Sequence, residues 1–149
     1  MRQDAAMSTS CPTSCPCGQL GRDKKPLAYE TCCGRWHQGA LRGQAPDAEA
    51  LMRSRYSAYV LGLTDYLLES WHPSTRPAEL EPNEPGLKWL GLDVRNHRQP
   101  DADHATVEFV ARSKLGGRAF RLHETSRFVR DAENGRWTYV DGDLHSRND

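Results

Sequence analysis

The sequence lacks long apolar runs, an excess of charge of either sign and, over its first third, large aliphatic residues. Its 20 Lys and Arg residues balance 20 Asp and Glu residues, so the formal net charge is zero. A chain without net charge has no global field that attracts nucleic acid or anionic membranes. A transmembrane helix needs about 20 consecutive apolar residues, and the apolar runs here are only a few residues long. The composition therefore excludes a membrane span and disfavours nucleic acid as a partner.

The N-terminus also lacks the apolar segment of a secretory signal. Residues 1–7 read MRQDAAM and are followed by small polar residues. Without an export signal, we expect a cytoplasmic location. In a reducing compartment, clustered cysteines indicate metal or redox sites rather than disulfides.

Apolar residues make up only 37% of the chain, and most of the large ones come after residue 50. This distribution predicts that one domain has a core and that the segment before it does not. We expect a disordered tail over residues 1–10, a loop-rich unit with the cysteines over 11–43, a cored domain over 44–145 and a tail over 146–149.

In the cored domain, a helical pattern precedes an alternating one. Apolar residues recur every three or four positions over residues 47–62, and a second, shorter helix is expected over 65–71 with Thr64 as its N-cap. Four prolines in residues 73–86 predict a connector, in which we expect one helical turn near 78–81.

Beyond Gly86, apolar residues recur at every second position in four short segments. The segments are separated by turn residues, and Gly116-Gly117 suits a tight hairpin. Four strands joined by short turns predict an antiparallel sheet. With two helices packed on one face of it, the fold class is α+β.

Four of the five cysteines form two tight pairs near the start of the chain: Cys15 and Cys17, then Cys32 and Cys33. Four thiolates can bind one Zn²⁺ tetrahedrally, and in a segment without a core the binding free energy becomes folding free energy. His37 is an alternative ligand in place of one of the adjacent cysteines, and Cys11 is left over. A closed four-ligand site leaves no open coordination position, so the zinc is expected to be structural.

The residues around these cysteines resemble known sequences. Two stretches resemble the SEC-C motif: CPCG at residues 15–18 and YETCCG at 29–34. This motif is a zinc knuckle that is also found in the SecA translocation ATPase. The loop between the cysteine pairs is longer here than is usual for the motif. The rest of the chain is similar to the bacterial YchJ family, most clearly in APDAEALMRSRYSAY at 45–59, HETSRF at 123–128 and WTYVDG at 137–142. This resemblance spans about residues 11–145.

The resemblance implies a SEC-C zinc knuckle followed by a nuclear transport factor 2-like cone, in which helices pack against a curved four-stranded antiparallel sheet. It also favours Cys32 and Cys33 over His37, because the last two ligands of the SEC-C motif are adjacent. The implied metal ligands are Cys15, Cys17, Cys32 and Cys33.

A cone of this kind encloses a cavity, and a cavity with convergent polar groups is the default ligand site. The candidate pocket residues are Arg53, Arg55, Tyr56, Glu124 and Arg127. Alternation places Glu124 on the apolar face of its strand, where a buried carboxylate needs a partner. We expect one of the three arginines to pair with it.

No motif in the sequence selects a reaction, because P-loop, GxGxxG, GxSxG and HExxH patterns are all absent. In SecA the knuckle docks partner proteins, so the resemblance implies a protein-interaction or adaptor module with structural zinc. The basic loop residues Arg22, Lys24 and Lys25 would suit an acidic partner. The alternative is a small-molecule binder, or a lyase- or isomerase-type enzyme, that uses the cavity of the cone. Homodimerisation through the open sheet face is a further expectation of the fold.

Overall fold

The computed structural model describes residues 14–81 and 83–145. Within them the chain forms a 3₁₀ turn (Tyr29–Thr31), α1 (Gly34–His37), α2 (Ala48–Leu61), α3 (Thr64–Glu69), β1 (Lys88–Asp101), β2 (His104–Leu115), β3 (Arg118–Arg130) and β4 (Trp137–Leu144). The strands form one antiparallel sheet in the order β1-β2-β3-β4. The predicted α+β class is confirmed: helices accompany a curved four-stranded sheet, and the cysteines lie near the N-terminus. The expected tails over 1–10 and 146–149, and Cys11, fall outside the described residues.

Helix α2 is the central element of the molecule, and local signals define both of its ends. The Asp47 carboxylate accepts a hydrogen bond from the Ala50 N–H at 2.8 Å and caps the first turn. Gly62 ends the helix in the left-handed conformation, with φ of 76°, which glycine adopts without steric cost. One side of α2 packs on α1 and the other on the sheet.

Helix α3 is shorter than predicted. Leu63 precedes it at the N-cap and Thr64 is its first residue, so Thr64 is not the cap. The helix ends at Glu69, and Trp71 lies beyond it in a parallel bridge with Tyr139 of β4. This bridge ties the end of the helical layer to the edge strand of the sheet.

The helical turn expected near residues 78–81 is absent from the described part of the connector, so that prediction is wrong. Pro82 disfavours a helical conformation in Glu81, the last residue of the expected turn. The connector is fixed instead by the side chain of Asn83, which donates a hydrogen bond to the Tyr59 carbonyl of α2 at 2.7 Å.

The sheet has the predicted alternation, although register shifts interrupt β1 at three points and the β3–β4 pairing at one. Residues 105, 107, 109 and 111 of β2 are all buried, and Gly116 and Gly117 form the β2–β3 turn with φ of 60° and 79°. A bulge between Trp89 and Gly91 shifts the faces of β1, so Leu90 is 56% exposed while Trp89 packs on the core. Phe120 and Leu122 are also largely exposed, because the helices do not cover the hairpin end of β3.

The helices of the described residues are too short or too polar to cross a membrane. The longest of them, α2, has only 14 residues, whereas a spanning helix needs about 20.

Candidate metal centre and cavity

The four cysteines lie together at the base of a small loop. Cys15 is fixed by its N–H, which donates to the Leu27 carbonyl at 2.8 Å, and Cys17 follows in the tight turn that Gly18 closes with φ of 76°. Cys32 and Cys33 directly precede α1. The four sulfur atoms lie within 4.8 Å of one another, and all four side chains are buried.

The donor set fits a metal ion. Hydrogen bonds from the neighbouring thiols, that of Cys17 first, hold the pKa of Cys15 below its usual value, whereas those of Cys15 and Cys17 raise the pKa of Cys33. The Cys15 thiol therefore loses its proton readily, whereas the Cys33 thiol does not. Each additional negative charge among the buried sulfur atoms is unfavourable. A divalent cation removes this repulsion, so the buried four-cysteine cluster can hold a metal ion.

His37, the alternative ligand, uses both of its ring nitrogens elsewhere. Its Nε2 donates to the Ser54 carbonyl at 2.8 Å, so its Nδ1 accepts the hydrogen bond from the Tyr29 hydroxyl at 2.6 Å. Burial lowers the pKa of the imidazole, which favours this neutral form. His37 thereby joins the cysteine-containing unit to helix α2.

A cavity of about 320 Å³ lies between α2, the segment after α3 and the concave face of the sheet. Its walls are mostly aromatic, including Tyr56, Tyr59, Trp71, Trp89, Phe109 and Phe128. Four polar side chains also line it: Arg55, Asn83, Glu124 and Ser126. Trp71 and Trp89 form part of the wall and leave the cavity open.

Arg55 is the cationic group of the cavity and is only 5% exposed. Its Nη1 donates to the Leu67 carbonyl at 2.8 Å and to the Ser70 hydroxyl at 2.7 Å. Its guanidinium lies 5.0 Å from the ring centre of Trp71 and 4.6 Å from that of Tyr139. Among the described residues, Nε and Nη2 have no hydrogen-bond acceptor, so these two nitrogens remain available to a ligand.

Glu124 is the anionic group of the cavity. Its Oε2 accepts hydrogen bonds from the Ser126 hydroxyl at 2.6 Å and from the Tyr139 hydroxyl at 3.4 Å. Burial raises the pKa of Tyr139 to about 12, so its hydroxyl remains a donor at neutral pH. The carboxyl group packs directly over Gly142 of β4, where a Cβ atom would overlap it.

The expectation that an arginine pairs with Glu124 is not met within the described residues. Arg53 lies two residues before Arg55 on the helix, so its side chain is rotated by about 200° around the helix axis from that of Arg55. There it pairs with Glu49 at 3.0 Å. Arg127 lies on the opposite face of β3 from Glu124 and pairs with Asp141 at 2.6 Å. Of the candidate pocket residues, Arg55, Tyr56 and Glu124 line the cavity, and Arg53 and Arg127 do not.

Sequence reasoning missed two polar residues that complete this site, Ser70 and Asn83. Both lie in irregular segments, at the end of α3 and in the connector, where no periodic pattern assigns a side chain to a face. Only the folded chain brings Ser70 to Arg55 and Asn83 to the cavity wall.

A buried four-cysteine cluster followed by a helix-covered, curved antiparallel sheet defines a SEC-C-type cysteine cluster joined to a nuclear transport factor 2-like domain. The family described as "YchJ, middle NTF2-like domain" matches residues 47–142. The chain belongs to this YchJ family, whose members are also named UPF0225 proteins.

Relatives of known sequence and structure agree with this assignment. A UPF0225 protein of Bordetella parapertussis is 62% identical over 135 residues, which cover 91% of this chain and 96% of that protein. A UPF0225 protein of Methylibium petroleiphilum is 61% identical over 133 residues, covering 89% of this chain and 90% of its own. The crystal structure of a SEC-C motif-containing protein from Psychrobacter arcticus superposes with a TM-score of 0.69 at 30% identity, covering 89% of this chain and 83% of that one.

Proposed function

We propose that this protein is a small-molecule-binding protein whose N-terminal unit is held together by a structural zinc ion. The observation that carries the proposal is the open cavity, in which a buried guanidinium and a half-buried carboxylate face a largely aromatic space. Cavities of this kind, with a few convergent polar groups in apolar walls, are typical ligand sites.

The zinc part of the proposal rests on the four sulfur atoms of Cys15, Cys17, Cys32 and Cys33. Four thiolates in a tetrahedral arrangement are a common structural zinc site, and soft sulfur donors favour zinc over calcium or magnesium. Since four protein ligands leave no open position, this zinc would stabilise the fold and take no part in chemistry.

The lining residues define the ligand that the cavity would accept. The aromatic walls suit a flat apolar body, and the two free nitrogens of Arg55 suit a carboxylate or another acceptor. The Glu124 carboxylate has acceptor capacity beyond its bonds to Ser126 and Tyr139, which suits a hydroxyl or amino donor. A small aromatic acid with such a donor group satisfies both ends of the cavity.

We expect Glu124→Gln to weaken the binding of an aromatic hydroxy acid by about tenfold or more, because a hydrogen bond to a charged group contributes about 1.5–3 kcal/mol. Binding of hydroxycinnamate and of cinnamate, which lacks the hydroxyl, would be measured by the quenching of tryptophan fluorescence. The loss should be specific to hydroxycinnamate, since only its hydroxyl would meet Glu124.

Gly142→Ala is the independent variant for this prediction. The added methyl group would displace the Glu124 carboxyl without altering its charge, so it should reproduce the selective loss. Arg127→Ala, on the outer face of the sheet, is the control and should bind both acids as the wild type does. If neither acid binds, or if both bind Glu124→Gln unchanged, the proposed ligand class is wrong.

An adaptor role for the cysteine-containing unit is the second candidate. The observation that favours it is the loop between the cysteine pairs, where Arg22, Lys24 and Lys25 are all exposed. A cationic tip of this kind complements an acidic protein surface.

We expect the double charge reversal Lys24→Glu, Lys25→Glu to abolish the retention of acidic partner proteins by the immobilised chain at low salt. The measurement is a comparison of the captured proteins with those bound by the wild type, with zinc content as the check on folding. Arg118→Glu, which reverses an exposed charge on the distant β2–β3 hairpin, is the control. Identical captured proteins in all three samples would rule out the basic loop as a docking site.

A further inference from the structure

The outer face of the sheet, opposite the cavity, has a group of three residues that the proposed function does not use: Glu108, His123 and His145. We call them the outer-face triad. Glu108 lies on β2, His123 on β3 and His145 directly after β4. Residues 108 and 123 are 15 positions apart in sequence, and residues 123 and 145 are 22 apart, so only the strand register brings the three together.

The three side chains offer ligand atoms in one small volume. Nε2 of His123 lies 2.7 Å from Oε2 of Glu108, and the rings of His123 and His145 are stacked with centres 3.9 Å apart. One ligand atom from each of the three residues lies within 4.8 Å of the other two. Small side-chain rotations would bring all three into the first coordination sphere of one ion, about 2.0–2.2 Å from it.

The backbone and a neighbouring hydroxyl hold the triad in place. The His145 N–H donates to the His123 carbonyl at 2.8 Å, which continues the pairing of β3 and β4 past the end of the strand. The hydroxyl of Thr125, which is the register partner of Glu108, is hydrogen-bonded to Nε2 of His145 at 2.8 Å. Outer-sphere contacts of this kind orient the imidazole ligands of metal ions.

Other carboxylates on this face are occupied by a different partner. The Arg127 guanidinium pairs with Asp141 at 2.6 Å and with Asp143 at 2.7 Å. No arginine forms such a contact with Glu108 within residues 14–81 and 83–145: Arg95 acts on its carboxylate only at longer range, and His123 is its hydrogen-bonded partner. The triad is thus a mixed nitrogen and oxygen donor set rather than part of a surface ion-pair network.

We propose that the outer-face triad binds a divalent first-row transition metal ion, separately from the four cysteines. Two imidazoles and a carboxylate suit zinc, nickel, cobalt or iron, whereas thiolates are absent and the oxygen-rich set of calcium is not available. Three protein ligands leave coordination positions open to water or a further ligand. The site therefore differs in kind from the closed cysteine cluster.

The test uses the full-length, tag-free protein already loaded with one zinc equivalent, titrated with Zn²⁺ and followed by calorimetry. A second equivalent is expected to bind. His145→Ala and Glu108→Gln should each weaken it by about tenfold or more, and Thr125→Val by about tenfold, since loss of an outer-sphere partner costs 10–100-fold in affinity. His145 is exposed at the end of the sheet, so its replacement should leave the melting temperature unchanged.

His104→Ala is the matched control. His104 also pairs with a carboxylate, that of Asp101 at 2.9 Å, but this exposed pair belongs to neither group of potential metal ligands within the described residues. Its loss should not change the affinity. A single zinc equivalent in the wild type, or a second equivalent that binds His145→Ala and Glu108→Gln as tightly as the wild type, would overturn the proposal.

Discussion

Cys17→Ser and Cys33→Ser are each expected to abolish zinc retention by the cysteine cluster and to unfold the segment that contains the four cysteines. Both side chains are at most 1% exposed. Water therefore cannot take the place of a lost sulfur ligand unless the surrounding segment unfolds. Zinc binding to small structural sites contributes about 10–16 kcal/mol of apparent free energy at neutral pH. The segment has little other apolar material to offset that loss. Zinc-to-protein ratio after gel filtration, together with limited proteolysis, measures both effects.

Two variants control for this result. Cys11→Ser should retain the zinc ion of the cysteine cluster, because the four other cysteines complete its ligand set. His37→Phe should also retain it, since both ring nitrogens of His37 are hydrogen-bonded within the protein. It should nevertheless lower the free energy of unfolding by about 1–3 kcal/mol, because the Tyr29 hydroxyl loses a buried partner. Loss of zinc from His37→Phe, with the rest of the chain folded, would show that the ligand assignment is wrong.

The cysteine cluster and the cavity share helix α2. The Ser57 hydroxyl on one side of the helix lies 3.5 Å from the sulfur of Cys15. Arg55 and Tyr56 on its other side line the cavity. The cysteine cluster and the cavity therefore contact different sides of one helix.

The sequence predicted the helices and strands well where an apolar pattern repeats. It predicted side-chain burial poorly where one irregular position changes the face on which a residue lies. Alternation over residues 105–111 predicted a buried strand face, and the structure has it. Alternation in the first of the four segments placed Leu90 on one face with Leu92 and Val94, but the bulge beside it turned the Leu90 side chain to solvent. The bulge lies beside Gly91, and a glycine inside a strand often marks a bulge, but only the pairing with β2 fixes where the register shifts.

The sites were predictable to the extent that their residues are close in sequence. The cysteine pairs are local patterns and were found, whereas the outer-face triad was missed because its residues are spread over three strands. The two arginines of α2 show where prediction of the site residues fails even within one element. Arg53 and Arg55 are equivalent by composition and spacing, and only the packing of α2 places Arg55 at the cavity and Arg53 beside Glu49.

Arg55→Ala is expected to lower the free energy of unfolding by about 3 kcal/mol, measured by urea denaturation with tryptophan fluorescence. The side chain joins three elements: α2, the end of α3 through Leu67 and Ser70, and β4 through the Tyr139 ring. Its removal leaves the buried Leu67 carbonyl without this donor and enlarges the cavity beside two aromatic rings. Arg55→Lys should also be destabilising, because an ammonium cannot stack on both rings while it holds these acceptors.

Two further variants separate packing from charge in this prediction. Arg55→Met keeps most of the buried volume, so it should lose less stability than Arg55→Ala, although it also loses the hydrogen bonds. Arg127→Ala removes an arginine with two carboxylate partners on the exposed face, where such pairs contribute only about 0–1 kcal/mol. If Arg55→Ala costs no more than Arg127→Ala, then Arg55 does not hold these elements together, and the stacking of its guanidinium between Trp71 and Tyr139 is incidental. The larger loss in Arg55→Ala, with partial recovery in Arg55→Met, would establish that burial rather than the number of partners decides which arginine stabilises the fold.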